Sequence, residues 1–169
     1  MLVRLYYAST AADGVDMNEF RRILATAQAN NVQNDLTGML VFNSKVFLQA
    51  LEGSRVAVNA LYSRLTGDPR HKNLMLLKYE NVKQRDFAEW SMAFAAANAA
   101  NRALFLKHST HSVFNPYHMD AESIEALMKE LAASSIQMQE TVAAAAESAN
   151  GGVPDAAAKA SFFARFGRK

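Results

Sequence analysis

The sequence predicts an α+β chain: a ferredoxin-like βαββαβ sheet with two helices on one face and C-terminal accessory helices on the other. Three observations lead there. Runs rich in Leu, Val, Tyr and Phe alternate with helical stripes as strand, helix, strand, strand, helix, strand, which is the split βαβ pattern. Turn-forming pairs separate the runs at Asp13-Gly14, Asn34-Asp35, Asn43-Ser44, Gly53-Ser54 and Gly67-Asp68-Pro69. Finally, Ile124, Leu127, Met128 and Leu131 form an apolar stripe with no place in that unit. Such a stripe must bury itself, and the free face of the sheet is the natural site.

Each element has its own justification. Leu2 to Ala8 reads as the first strand. Asp16 and Glu19 give an N-cap and a first-turn acid for a helix to about Asn30, with Phe20, Ile23, Leu24 and Ala27 on its inner stripe. Leu36 to Phe42 and Val46 to Leu51 form a hairpin around Asn43-Ser44. Ser54 opens a second helix to about Thr66, with Val58, Leu61 and Leu65 facing inward. Leu74 to Tyr79 is a fourth strand, and Ser91 to Ala95, after Trp90, a short fifth. Residues near 98–108 and 120–147 read as helical, the second capped by Asp120. Ala143 to Ala160 is low in complexity, contains Gly151-Gly152-Val153-Pro154 and reads as linker. The resulting organisation is 1–97 for the sheet domain, 98–147 for accessory helices, and 148–169 for a flexible linker and a basic, aromatic tail. Phe162, Phe163 and Phe166 beside Arg165, Arg168 and Lys169 suit a partner or anionic surface, although a frayed basic end is the simpler reading.

Composition narrows the function. The 169 residues contain no cysteine, which excludes disulfides, thiolate metal sites and cysteine nucleophiles and is compatible with a reducing cytosol. Arg4 and Tyr6-Tyr7 interrupt any N-terminal signal segment, and no apolar run approaches the roughly 18 residues of a membrane span. A net charge of +2 is too small to argue for nucleic acid. No Gly-rich dinucleotide fingerprint and no cluster of catalytic acids or bases is present. His108, His111 and His118 lack acidic or thiol neighbours in sequence and read as solvated or capping residues rather than ligands. Glu80, Lys83 and Asp86 read as a solvated loop. Glu52, on the face opposite Gln49, is not expected to act as a catalytic carboxylate.

Three polar side chains fall where a core is expected. Strand alternation puts Val3, Leu5 and Tyr7 on one face, with Arg4 on the other, and groups Phe47, Gln49 and Leu51. On a helical wheel Asn31 lies about 20° from Phe20. A phenol and two carboxamides are therefore aimed at one space between sheet and helices, and each costs about 1–3 kcal/mol if buried without a partner. For any one of them, a bond to a nearby carbonyl is the simpler account. For all three converging, with Arg64 at the edge of the second helix's stripe, a flat polar-edged ligand held between the helices is the better one.

The same residues carry a resemblance to a known family. Arg4-Leu5-Tyr6-Tyr7-Ala8-Ser9, Asn30-Asn31 with Leu36-Thr37-Gly38, Phe47-Leu48-Gln49-Ala50-Leu51-Glu52-Gly53, Asp68-Pro69-Arg70-His71 and Trp90-Ser91-Met92 occur in that order. Over about residues 1 to 95 the chain resembles the BLUF domains, sensors of blue light using flavin. Phe114-Asn115-Pro116 and the following helix resemble the accessory helices of short, stand-alone members. The resemblance implies a non-covalently bound flavin, usually FAD with FMN as the alternative, between the two helices. It implies Tyr7 as electron and proton donor, Gln49 as bridge to the flavin, and Asn31 at the ring edge. Arg64 and Asp68 would serve the ring and its side chain, with Arg70 and His71 near the ribityl or phosphate end. Trp90 and Met92 would lie on the fifth strand, either of them facing the glutamine. The implied protein is a non-enzymatic, cytoplasmic photoreceptor that signals through its fifth strand and C-terminal helices to another protein or by homo-oligomerisation. A light-independent flavoprotein and a ligand-free ferredoxin-like interaction module are the alternatives.

Overall fold

The computed structural model describes residues 1–43, 45–96, 101–110 and 113–150, with side chains described as far as residue 135 except at Ala96. Its elements are β1 (Leu2–Ala11), α1 (Met17–Gln33), β2 (Thr37–Phe42), β3 (Val46–Ser54), α2 (Arg55–Thr66), β4 (His71–Asn81), β5 (Ala93–Ala96), α3 (Arg102–His108), a 3-10 turn (Pro116–His118) and α4 (Ala121–Asn150). The sheet order is β4-β1-β3-β2-β5. The first four strands pair antiparallel, and β5 joins β2 in parallel. The expected ferredoxin-like unit is present.

Local chemistry explains the boundaries. Asp16 caps α1 by accepting from the Asn18 and Glu19 amides, and Ser54 caps α2 through the Ala57 amide. The first helix runs a turn beyond Asn30, so Asn31 does reach the inner face, where it is buried. Asp35, at φ 53°, makes the turn into β2. Asn43 closes the hairpin by accepting from the Lys45 and Val46 amides through its side chain; Ser44 lies outside the described residues. In β2, a Cβ at Gly38 would overlap the Ala50 carbonyl oxygen, so only glycine lets the strands approach there.

The sheet carries a core on each face. Val3, Leu5, Tyr7, Phe20, Leu40, Phe42, Phe47, Leu51, Val58 and Met92 pack on the α1/α2 side. On the other, Tyr6, Ala8, Met39, Val41, Leu48 and Ala50 are equally buried, as is the predicted stripe of Ile124, Leu127, Met128 and Leu131 on α4. Residues 1–132 form one compact unit and 133–169 a second. The α4 stripe is thus part of the first unit's interior. The segment from Ala143, expected as linker, is helical to Asn150; the remainder of the linker and the aromatic tail lie outside the described residues.

The expectation of a solvated loop at Glu80 and Asp86 is wrong. Both join an ion network beneath α4. Arg4 contacts Glu52 at 2.7 Å, Asp86 at 2.7 Å, Glu80 at 3.4 Å and Glu125 at 3.8 Å. Lys129 reaches Glu125 at 2.6 Å and Asp86 at 3.1 Å, and Lys78 pairs with Glu125 and Glu80. Only Lys83 of the three is exposed. A buried guanidinium on β1 attracts every carboxylate within reach, which a one-dimensional charge pattern does not reveal.

Two outcomes test this packing. Gly38→Ala should lower stability by roughly 1–3 kcal/mol, read as a lower denaturation midpoint. Hydrogen bonds from Lys129 and then Lys78 hold the Glu125 carboxyl down at about 2, from an ordinary 4.5. A carboxylate depressed on folding stabilises above its unfolded value and loses that contribution as pH falls through its folded one. The stability gap between wild type and Glu125→Gln should therefore close as pH drops from about 4.5 towards 2. A gap independent of pH would refute the assignment.

Candidate functional site

The site grows from one register. β1 and β3 pair so that Tyr7 and Gln49 are directly opposed, and both side chains turn to the α1/α2 side. The Tyr7 hydroxyl donates to Gln49 Oε1. Gln49 Nε2 in turn donates to the Met92 sulfur at 3.3 Å. Tyr7 is fully buried, with Tyr62 of α2 edge-on at 5.9 Å and His71 at 6.3 Å. Burial, followed by the nearby Asp68 charge, raises the Tyr7 pKa far above its ordinary value, so the phenol stays protonated and acts as a donor.

A second chain of bonds comes from α1. Asn31, 1% exposed, donates from Nδ2 to the Ser91 carbonyl at 2.7 Å. Gln28, one turn earlier, donates from Nε2 to the Met92 carbonyl at 3.1 Å. Met92 therefore meets Gln49 through its sulfur and Gln28 through its backbone carbonyl. Trp90 and Met92 precede β5 rather than lying on it. The ladder begins only at Ala93, while Trp90 is fixed by its carbonyl, which accepts from the Gly38 amide at 3.3 Å. Of the two residues, Met92 contacts Gln49.

The remaining expected residues divide into two groups. Asp68 and Arg70 form a tight pair, with Arg70 Nη2 at 2.6 Å from Oδ2, and Arg70 also reaches Glu19 at 3.5 Å. His71 Nδ1 lies 2.7 Å from Ser9 Oγ, and burial pushes its pKa below the ordinary value. Arg64 stands apart, exposed on the last turn of α2. Sequence reasoning did not single out Gln28, Tyr62, Ser9 or the Ser91 carbonyl. Gln28 sits one turn before Asn31 on the same helix face, a signal that was available; the others depend on tertiary placement.

The residues fit a flavin ring on two counts. The inner stripes of α1 (Ile23, Leu24, Ala27) and α2 (Leu61, Tyr62, Leu65) pack against the core yet are only half-buried, the apolar lining that a cleft for a ring between the helices would need. At its floor, an amide donor is matched to a thioether sulfur, a weak acceptor. A ligand carbonyl would satisfy that donor better. His108 is not part of the site; its Nε2 lies 3.0 Å from Glu130 Oε1, and His111 lies outside the described residues. No helix among the described residues is long and apolar enough to cross a membrane.

Comparison with known proteins agrees with this geometry. The chain is 34% identical over 92 residues to the blue light- and temperature-regulated antirepressor BluF of Escherichia coli (strain K12), covering 54% of this chain and 23% of that protein. It is 33% identical over 95 residues to the photoactivated adenylate cyclase subunit beta of Euglena gracilis, covering 56% and 11%. It thus spans less than a quarter of either relative. Among solved structures, the BlsA ground state superimposes with a TM-score of 0.72 at 30% identity, covering 78% of this chain and 88% of that one. The dark state of BlrB, a BLUF protein, gives 0.68 at 26%, covering 79% and 96%. The model of the family described as "BLUF: Sensors of blue-light using FAD" matches residues 2–93, and with Tyr7 bonded to Gln49 beneath half-buried apolar stripes, the chain belongs to that family of blue-light flavin sensors.

Proposed function

We propose that Tyr7, Gln49 and Met92 form the light-responsive centre, that FAD is the flavin bound, and that the chain signals without catalysing a reaction. The observation that carries this reading is the buried chain from Tyr7 hydroxyl to Gln49 amide to Met92 sulfur at the cleft floor. A bound flavin supplies the blue-light absorption and, once excited, strong oxidising power. The protein's part is to present a donor. Tyr7 is held protonated and dry, so its proton has one direct exit, Gln49 Oε1. An amide both accepts and donates, so Gln49 can receive that proton and pass on another. Rotated or tautomerised, Gln49 would exchange its hydrogen bonds, including the one to Met92.

Asn31 would hold the ring edge from α1, supported by its anchor on Ser91. Arg64, exposed on α2, suits the ring from the cleft mouth. Asp68 already engages Arg70 fully, which favours this pair, with His71, as a fixed polar wall for the ribityl chain over a free phosphate clamp. The signal would pass from Met92 into β5 and the C-terminal helices, and from there to another protein or a second copy of the chain, in the cytoplasm.

Purified protein should be yellow, release FAD on denaturation, and show a reversible red shift under blue light with no substrate turnover. Tyr7→Phe and Gln49→Ala should each retain flavin but lose the shift. A full photocycle in either variant would reject this centre, and a colourless chain that takes up no flavin would reject the reading as a whole. Truncation after residue 97 should spare the shift but remove any light-dependent association. Since residues 121–132 cover the back of the sheet, the milder Glu125→Gln should be run beside it, with analytical ultracentrifugation in darkness and light.

A further inference from the structure

Glu52 is fully buried on the sheet face opposite Gln49, and its carboxylate is saturated. Oε1 accepts from Arg4 Nε at 2.7 Å and the Asp86 amide at 2.8 Å. Oε2 accepts from the Phe87 amide at 3.0 Å and the Thr37 hydroxyl at 3.2 Å. Four bonds fill the acceptor sites of a carboxylate, and two of them hold backbone of the segment between β4 and β5. Arg85 tightens the same point, donating to the Thr37 hydroxyl at 2.9 Å, the Glu52 carbonyl at 3.3 Å and the Asp35 carbonyl at 2.6 Å. Phe87 is fully buried and its carbonyl accepts from the Trp90 amide at 3.2 Å. A single tight turn then separates this clamp from Ser91 and Met92, the partners of Asn31 and Gln49.

We infer that Glu52 is a positioning residue of the light-responsive centre: from the far face of the sheet it fixes the 85–92 segment and so sets where Ser91 and Met92 meet Asn31 and Gln49. The inference rests on the proposed function for its optical readout but on geometry alone for the clamp. Through Arg4, the same carboxylate is tied to Asp86 and Glu125, so movement of the segment and attachment of α4 share one anchor. A buried acid on the wrong face for chemistry thus acts through the backbone it holds.

The test uses the full chain loaded with FAD. Glu52→Gln keeps the shape but removes acceptor capacity and leaves Arg4 without one of its two nearest carboxylate charges. Thr37→Val is milder, deleting the hydroxyl shared by Glu52 and Arg85. In both, the light-induced shift should persist while dark recovery accelerates, about tenfold for Glu52→Gln and about threefold for Thr37→Val. Amide exchange at Asp86 and Phe87 should rise while Leu5 in β1 stays protected. A merely structural role would lower the melting temperature and leave recovery unchanged. If Glu52→Gln does not fold, Thr37→Val decides. Wild-type recovery with wild-type exchange at Asp86 and Phe87 overturns the inference. Were wild type to bind FAD without any shift, the photosensor reading would fail, and exchange at these two amides would still judge the clamp.

Discussion

Pairing of β1 with β3 in a single register organises both faces of this molecule. Tyr7 stands opposite Gln49, and three residues away Arg4 stands opposite Glu52. An odd spacing of three sends the two pairs to opposite faces. One face gains a phenol–carboxamide bond and the other an ion pair that anchors the β4–β5 segment and α4. A one-residue slip would exchange the faces and bury Arg4 and Glu52 under α1 and α2. Fully buried apolar neighbours on both sides, Val3, Leu5, Leu48 and Leu51 among them, make that slip very costly.

The segment between β4 and β5 is where the faces meet. It has almost no regular structure, yet its backbone is held at several points: Asp86 and Phe87 by Glu52, Trp90 by Gly38, Ser91 by Asn31 and Met92 by Gln28. Such a segment can be ordered without being stiff, because each fixing bond is individually modest. Methionine at its end suits this role, since its flexible thioether tolerates a changing partner at low cost.

A bound flavin would account for the incomplete core above Tyr7 and Gln49. Helices α1 and α2 leave the apolar stripes that should close a core half-exposed, and a flavin between them would recover that apolar burial. The comparisons place residues 2–93 in the BLUF family, and the matched segment is a small fraction of the longer relatives' chains. In this chain β1, α1 and β3 bring Tyr7, Asn31 and Gln49 into the interior.

The order of elements, both helix caps, the α4 stripe and the burial of Tyr7, Asn31 and Gln49 were legible in the sequence. They depend on periodicity, local hydrogen bonding and turn chemistry, all of which act over a few residues. The role of Glu52, the ion network of Glu80 and Asp86, and the choice of Met92 over Trp90 were not. Each depends on partners far apart in the chain, as Arg4 is from Glu52 and Gln49 from Met92, and Asp86, Trp90 and Met92 belong to a segment whose irregular backbone has no period to read. By itself the sequence determined which side chains face each core, because strand and helix geometry is local. Only the tertiary structure decided which of them touch, because a charge or an amide buried in a dry interior takes whichever partner the folded chain brings within about 3 Å.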